Sequence, residues 1–239
     1  MTAPSVLLFI FLLSGIAQGT PCLELYPAPN TPEVCPKLEL KFEDAPLLDP
    51  HFEKNRWPCI VKGGLWAKRQ AQSTLPDHAK VLIPELKRWF VIEGLPQELA
   101  WVAEVESMLN TNAVSGSGAR GLFQFKREAA RRFGLLKEAD DFRAEPEKSA
   151  KAAARYLAKL YAQFSDWTLA VAAYNAGEGC VGRLLKKHET SEYEAIAPYL
   201  PPQTQVYVIK VMTTLALREN TQLSALPSPT IPTINPIGN

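Results

Sequence analysis

Glu106 is the residue in this 239-residue chain whose setting most directly suggests chemistry. It ends an apolar stretch, and Val102, Val105, Leu109 and Phe123 are the neighbours placed to strip water from its carboxyl. A carboxyl desolvated in this way keeps its proton near neutral pH and delivers it to a leaving oxygen. Glu104 does not supply a second carboxylate, because two positions along a helix turn the side chain by about 200°. The bland alternative is a solvated helix-end glutamate, and the Glu106-Ser107 pair by itself does not exclude it. Cysteine and histidine show no zinc-like spacing, which calls for pairs two to four residues apart, so no metal is expected.

The elements that must position Glu106 can be read from caps and periodicity. Residues 77–93, with Asp77 as N-cap, place Val81, Leu82, Leu86 and Trp89 at helical intervals, and Gly94 suits the position after a helix end. Pro96 opens the next helix, which runs through Leu99, Val102 and Ala103 to Glu106. Asn110, Asn112, Gly116, Gly118 and Gly121 break that pattern, so 109–124 is expected to form turns or a small β-hairpin. Helix resumes at 126–133 and 146–164, then after Asp166, at 178–187 and at 203–219. The expected fold is mainly α.

Composition sets the outer limits. Net charge is +1, with 26 Lys+Arg against 25 Asp+Glu, which argues against a nucleic-acid partner. Val6 to Leu13 is an uncharged apolar run too short to span a bilayer, and small residues follow it as in a cleavage site, so 1–19 is expected to be a signal peptide. The mature chain would then be exported, periplasmic or secreted, with no stable membrane span. Pro21 before Cys22 makes a lipid anchor a poor fit. Residues 20–74 are expected to form a Pro-rich, Cys-containing N-terminal arm, extended over 20–60, and 219–239 a Pro-rich tail, extended or disordered. Export makes disulfides admissible for Cys22, Cys35, Cys59 and Cys180, and four cysteines allow three pairings. The favoured pairing is Cys22–Cys35, closing a short loop, with Cys59–Cys180 tying the arm to the domain.

Three ordered motifs carry a family resemblance over about residues 75–218: Val105-Glu106-Ser107; Asn112 through Phe125, including Ser115, Ser117, Gly118, Gly121 and Gln124; and Ala172 through Gly179 around Tyr174-Asn175. Glu145 through Ser149 and Tyr207 agree as well. The set resembles the lytic transglycosylases of the goose-type lysozyme superfamily, most nearly the membrane-bound lytic transglycosylase D branch. The resemblance implies a lysozyme-like α+β domain with a small β-hairpin or turn region after the catalytic helix, and no cofactor. It implies cleavage of the β-1,4 bond between N-acetylmuramic acid and N-acetylglucosamine in peptidoglycan glycan strands. Glu106 would act as the single acid and base, closing a 1,6-anhydromuramic product with help from the 2-acetamido group in place of a second carboxylate. Ser115, Ser117, Gln124, Tyr174, Asn175 and Tyr207 become the implied substrate-binding residues.

Two alternatives stay open. A hydrolytic muramidase would keep the fold and Glu106 but use water, on the same or a deacetylated glycan. An inactive glycan-binding protein would keep the cleft alone. A cleft for deacetylated, cationic sugars would draw on carboxylates such as Asp140, Asp141 or Glu178.

Overall fold

The computed structural model describes residues 58–230. Cys22, Cys35, the apolar leader and the extended part of the arm therefore lie outside the described residues, as does the side chain of Cys59. Helices account for most of the described chain: α1 Pro58–Gln72, α2 Asp77–Ile92, α3 Val102–Ser107, α4 Arg127–Arg132, α5 Pro146–Phe164, α6 Trp167–Ala176, α7 Glu178–Lys187, α8 Tyr193–Ile196 and α9 Pro202–Glu219. Strands β1 Leu136–Lys137 and β2 Asp140–Asp141 pair antiparallel, Leu136 opposite Asp141.

The core forms around α6. Trp167, Leu169 through Tyr174 and Ala176 are buried, so this helix is covered on all sides, chiefly by α5, α7 and α9. Its start is fixed by Asp166, whose carboxylate accepts from the Leu169 amide at 2.7 Å, satisfying one of the donors a helix N-terminus leaves open. Both helices bury alanines, Ala150, Ala153 and Ala154 on α5 and Ala170, Ala172 and Ala173 on α6. Small side chains let the two helix backbones approach closely. Larger groups such as Leu157 and Leu160 fill the space beside them.

Several boundaries differ from the sequence reading. Asp77 is the first helical residue of α2 and Pro76 holds the cap position, since proline at the junction already supplies an extended backbone. The approach to Glu106 begins as a 3₁₀ turn at Gln97–Trp101 before becoming α3. Residues 109–124 are turns held by two isolated bridges, Val114 with Arg120 and Arg120 with Phe125. The paired strands come later, beyond α4.

The last part of the expected arm is α1, a helix packed on α9. The expected tail is also partly fixed: Leu223 and Leu226 are buried. Pro227 accepts a bond from Trp167 Nε1 at 3.1 Å, and the Thr230 amide donates to the Gly94 carbonyl at 2.9 Å. Proline carbonyls accept as well as any other, so a Pro-rich strand can dock without a partner strand.

Candidate active site

Glu106 lies in the last turn of α3, which ends abruptly. Met108 and Leu109 both adopt left-handed backbone, φ 53° and 62°, and the Leu109 amide reaches back to Ala103 O, the six-to-one closure of a helix C-terminus. Two consecutive non-glycine residues in this region store backbone strain. Burial of Leu109 and contact between the His78 ring Nε2 and Leu109 O at 3.3 Å hold the turn in place. From α1, Gln70 Nε2 approaches Met108 Sδ at 3.7 Å.

The following loop is braced from within by a buried cation that the sequence reading did not single out. Arg143 Nη1 donates to Gly118 O at 2.8 Å and Phe125 O at 3.0 Å, while Nε and Nη2 grip Asp141 at 2.9 and 2.8 Å. Hydrogen bonds from Arg143 are the main reason the Asp141 carboxyl is held down to about 2. At Gly121, φ is +81° and a Cβ would fall 1.8 Å from Arg143 O, so only glycine lets the two backbones meet here.

Loop side chains have specific partners. Ser115 Oγ accepts from the Ala119 amide at 3.0 Å and lies 3.1 Å from Ser117 Oγ. Ser115 is buried and Ser117 exposed. Gln124, itself at φ 48°, donates its amide to Gly121 O at 2.8 Å and Ala113 O at 3.3 Å.

From α6, Tyr174 donates its hydroxyl to Phe123 O at 2.9 Å, and Asn175 Oδ1 accepts from Thr204 Oγ1 of α9 at 2.9 Å. Tyr207, also on α9, turns its hydroxyl toward Glu106. That hydroxyl is buried and lacks a hydrogen bond of good geometry among the described residues. The structure thus gathers Glu106, Tyr174 and Tyr207 and ties Gln124 and Asn175 into the surrounding frame. Ser115 serves the loop it belongs to.

Burial dominates the electrostatics. It pushes the Glu106 carboxyl from 4.5 up to about 8, against the smaller opposing effects of Tyr207 and Lys210. Glu106 therefore holds its proton at neutral pH, as a general acid must. The phenols of Tyr174 and Tyr207 are pushed well above their usual range, first by burial and then by Glu106, so both remain neutral donors. Glu104 faces away, as its helical offset predicts, and its buried carboxylate takes a two-pronged bond from Arg218 at 2.7 and 3.1 Å. Of the other carboxylates considered, Asp141 is committed to Arg143 and Arg120 and Glu178 to Arg132 and Lys159. Both therefore already carry cationic partners. Among the described residues no group of His, Cys, Asp and Glu could hold a metal.

Two further residues lie outside the sequence expectations: Lys210, whose charge favours the ionised Glu106, and Trp66 on α1, whose ring centre lies 5.7 Å from Lys210 Nζ. Lys210 had a signal available, since it lies three residues beyond Tyr207 on α9 and so shares its face. Trp66 had none, because its place beside Lys210 depends on how α1 packs.

Residues 92–197 match the family model described as the transglycosylase SLT domain. Among curated relatives, the membrane-bound lytic murein transglycosylase D of Escherichia coli (strain K12) is 31% identical over 143 residues, 57% of this chain and 31% of that one. The membrane-bound lytic murein transglycosylase F of Pseudoalteromonas translucida (strain TAC 125) is 33% identical over 125 residues, 46% of this chain and 25% of that one. Of solved structures, the 70 kDa soluble lytic transglycosylase of Escherichia coli superposes with a TM-score of 0.51 at 26% identity, covering 66% of this chain and 26% of that one. The chain thus spans a third or less of the length of these relatives.

Proposed function

We propose, from the match of residues 92–197 to the transglycosylase SLT domain model, that the chain cleaves the β-1,4 bond between N-acetylmuramic acid and N-acetylglucosamine in peptidoglycan, with Glu106 as sole acid and base. The observation that carries this reading is a lone buried carboxyl raised to about 8, with the nearby Glu104 committed to Arg218. In the first step the protonated Glu106 gives its proton to the glycosidic oxygen as the C1–O bond breaks. In the second, its carboxylate takes the proton of the C6 hydroxyl as that oxygen bonds to C1. The proton returns to Glu106, no water is consumed, and the product is a 1,6-anhydro sugar. The substrate's 2-acetamido oxygen supports the cationic centre between the steps, the part a second carboxylate plays in ordinary glycosidases.

The remaining residues follow from their partners. Gln124 has its amide nitrogen fixed by Gly121 and Ala113, which leaves its side-chain oxygen for the glycan. Asn175 presents its amide nitrogen while Thr204 fixes the oxygen. Ser117 is the accessible member of the serine pair, and Ser115 orients it. Tyr207 supplies a hydroxyl to the Glu106 carboxylate once the proton has left. Tyr174 supports the Phe123 backbone beneath the site.

Export to the cell envelope and a Cys59–Cys180 disulfide belong to the same proposal. The relatives are named as membrane-bound enzymes, and no described helix is long and apolar enough to cross a membrane. Cys180 is buried at the start of α7.

Mass spectrometry of products released from purified peptidoglycan tests the reaction. Products lighter by one water than the hydrolytic ones, lost in Glu106→Gln, are expected. Reducing-end products alone would overturn the transglycosylase assignment in favour of a muramidase. Binding without release of fragments would make the protein a glycan binder.

A further inference from the structure

A carboxyl that works alone faces conflicting demands. It must hold its proton before reaction, release it as the leaving group departs, and take up another afterwards. Burial satisfies only the first, because a low-dielectric pocket opposes formation of the carboxylate. A nearby cation relieves this, but one in direct contact with the carboxyl would keep it ionised at rest. What suits both steps is a cation near enough to act through space and not bonded to the carboxyl.

Lys210 meets that description. It is half-buried on α9, one turn beyond Tyr207, on the helix that packs against α3 and its Glu106, and its positive charge favours the ionised form of that carboxyl. It makes no ion pair within 4 Å with any described carboxylate. Its Nζ lies 5.7 Å from the centre of the Trp66 ring, within the range in which a ring face attracts an ammonium. Trp66 belongs to α1, outside the stretch that matches the family model. The other groups turned toward Glu106 are the neutral phenols of Tyr207 and Tyr174. On the neighbouring elements, Glu104 is paired with Arg218, His78 is engaged with Leu109 O and Gln70 with Met108 and Ser73.

Building on the acid and base role of Glu106, we propose that Lys210, held against Trp66, is the positioning residue that lets this buried carboxyl release its proton during bond cleavage. The ammonium favours the carboxylate that appears as the proton leaves, so its effect grows along the reaction coordinate. The indole holds the ammonium without neutralising it, which an acidic partner would do. Helix α1 is then a working part of the site.

The test uses the full chain with Lys210→Met, which removes the charge and keeps the apolar stem, Lys210→Arg, which keeps the charge, and Trp66→Leu, which releases the clamp. Two readings are taken: the titration of the Glu106 carboxyl by carbon-13 NMR, and the pH dependence of kcat and kcat/KM on purified peptidoglycan. In Lys210→Met the carboxyl midpoint and the alkaline limb should both move up by about one pH unit, with kcat at neutral pH falling about tenfold and KM little changed. Lys210→Arg should restore both, and Trp66→Leu should fall between. An unmoved titration in Lys210→Met overturns the proposal, as does equal loss in the Met and Arg variants with no shift of the limb, the mark of a merely structural role. The titration is read without substrate, so absence of peptidoglycan cleavage by the wild type would remove the proposed reaction while this reading still judged Lys210.

Discussion

A buried acid that keeps its proton must leave a signature in stability as well as in catalysis. Glu106 is raised from 4.5 to about 8 in the folded protein, so the folded state binds a proton that the unfolded chain has already lost over that interval. The direction follows from linkage: with the folded value above the unfolded one, the contribution is fully present below pH 4.5 and is lost as pH rises through 8. At about 1.4 kcal/mol for each pH unit, the raised value sets a ceiling of about 5 kcal/mol on the stability lost across the interval. Glu106→Gln removes the titration while nearly keeping the shape. Differences between the two melting curves therefore cancel every other titrating group. For a domain of this size, 1 kcal/mol corresponds to about 2–4 °C in Tm. Thermal unfolding followed by circular dichroism should give a nearly constant gap between the proteins below pH 4.5. The glutamine variant should then gain on the wild type by up to about 10–20 °C by pH 9. A gap that stays constant from pH 4 to pH 9 would refute the claim that Glu106 is desolvated.

Other expected outcomes bear on the frame around the site. Gly118 and Gly121 share left-handed backbone, but only Gly121 faces an obstruction. Gly118→Ala should therefore lower stability by about 1 kcal/mol, and Gly121→Ala by about 4 kcal/mol or more, with equal losses in chemical denaturation counting against the Arg143 contact. Glu104→Ala strands Arg218 and should reduce stability by about 3–5 kcal/mol, while kcat per folded molecule stays within about twofold in an assay below the melting range. Tyr207→Phe removes a group that favours the ionised Glu106, so the alkaline limb of the rate profile should move upward; a downward move would contradict the placement of that hydroxyl.

The parts of the molecule legible in the sequence are those governed by local rules. The extent of α5, the start of α6 at Asp166 and the turning of Glu104 away from Glu106 follow from helical spacing and capping, which the sequence carries in full. Glu106 is legible because an apolar stretch leads directly into it and the Gly-rich motif follows it in the chain. The brace at Arg143 was not legible: it reaches Gly118 and Phe125 from outside their loop, and an Arg between Phe142 and Ala144 shows no pattern. The docking of Pro227 and Thr230 was hidden for a related reason. Proline-rich composition reports the absence of a helical pattern and says nothing about which donors elsewhere, such as Trp167 Nε1, need an acceptor.

The packing of α1 on α9 brings the early part of the described chain onto the helix that holds Tyr207 and Lys210. Residues 92–197, excised, would contain Glu106 and lack Tyr207 and Lys210. Conversely, a cut at the exposed Ser191–Glu192 step leaves α9 on a separate piece still gripped by α1, α6 and the Glu104–Arg218 pair. The two pieces of such a cut share one core, so they are expected to stay associated, a result that gel filtration of the nicked protein checks.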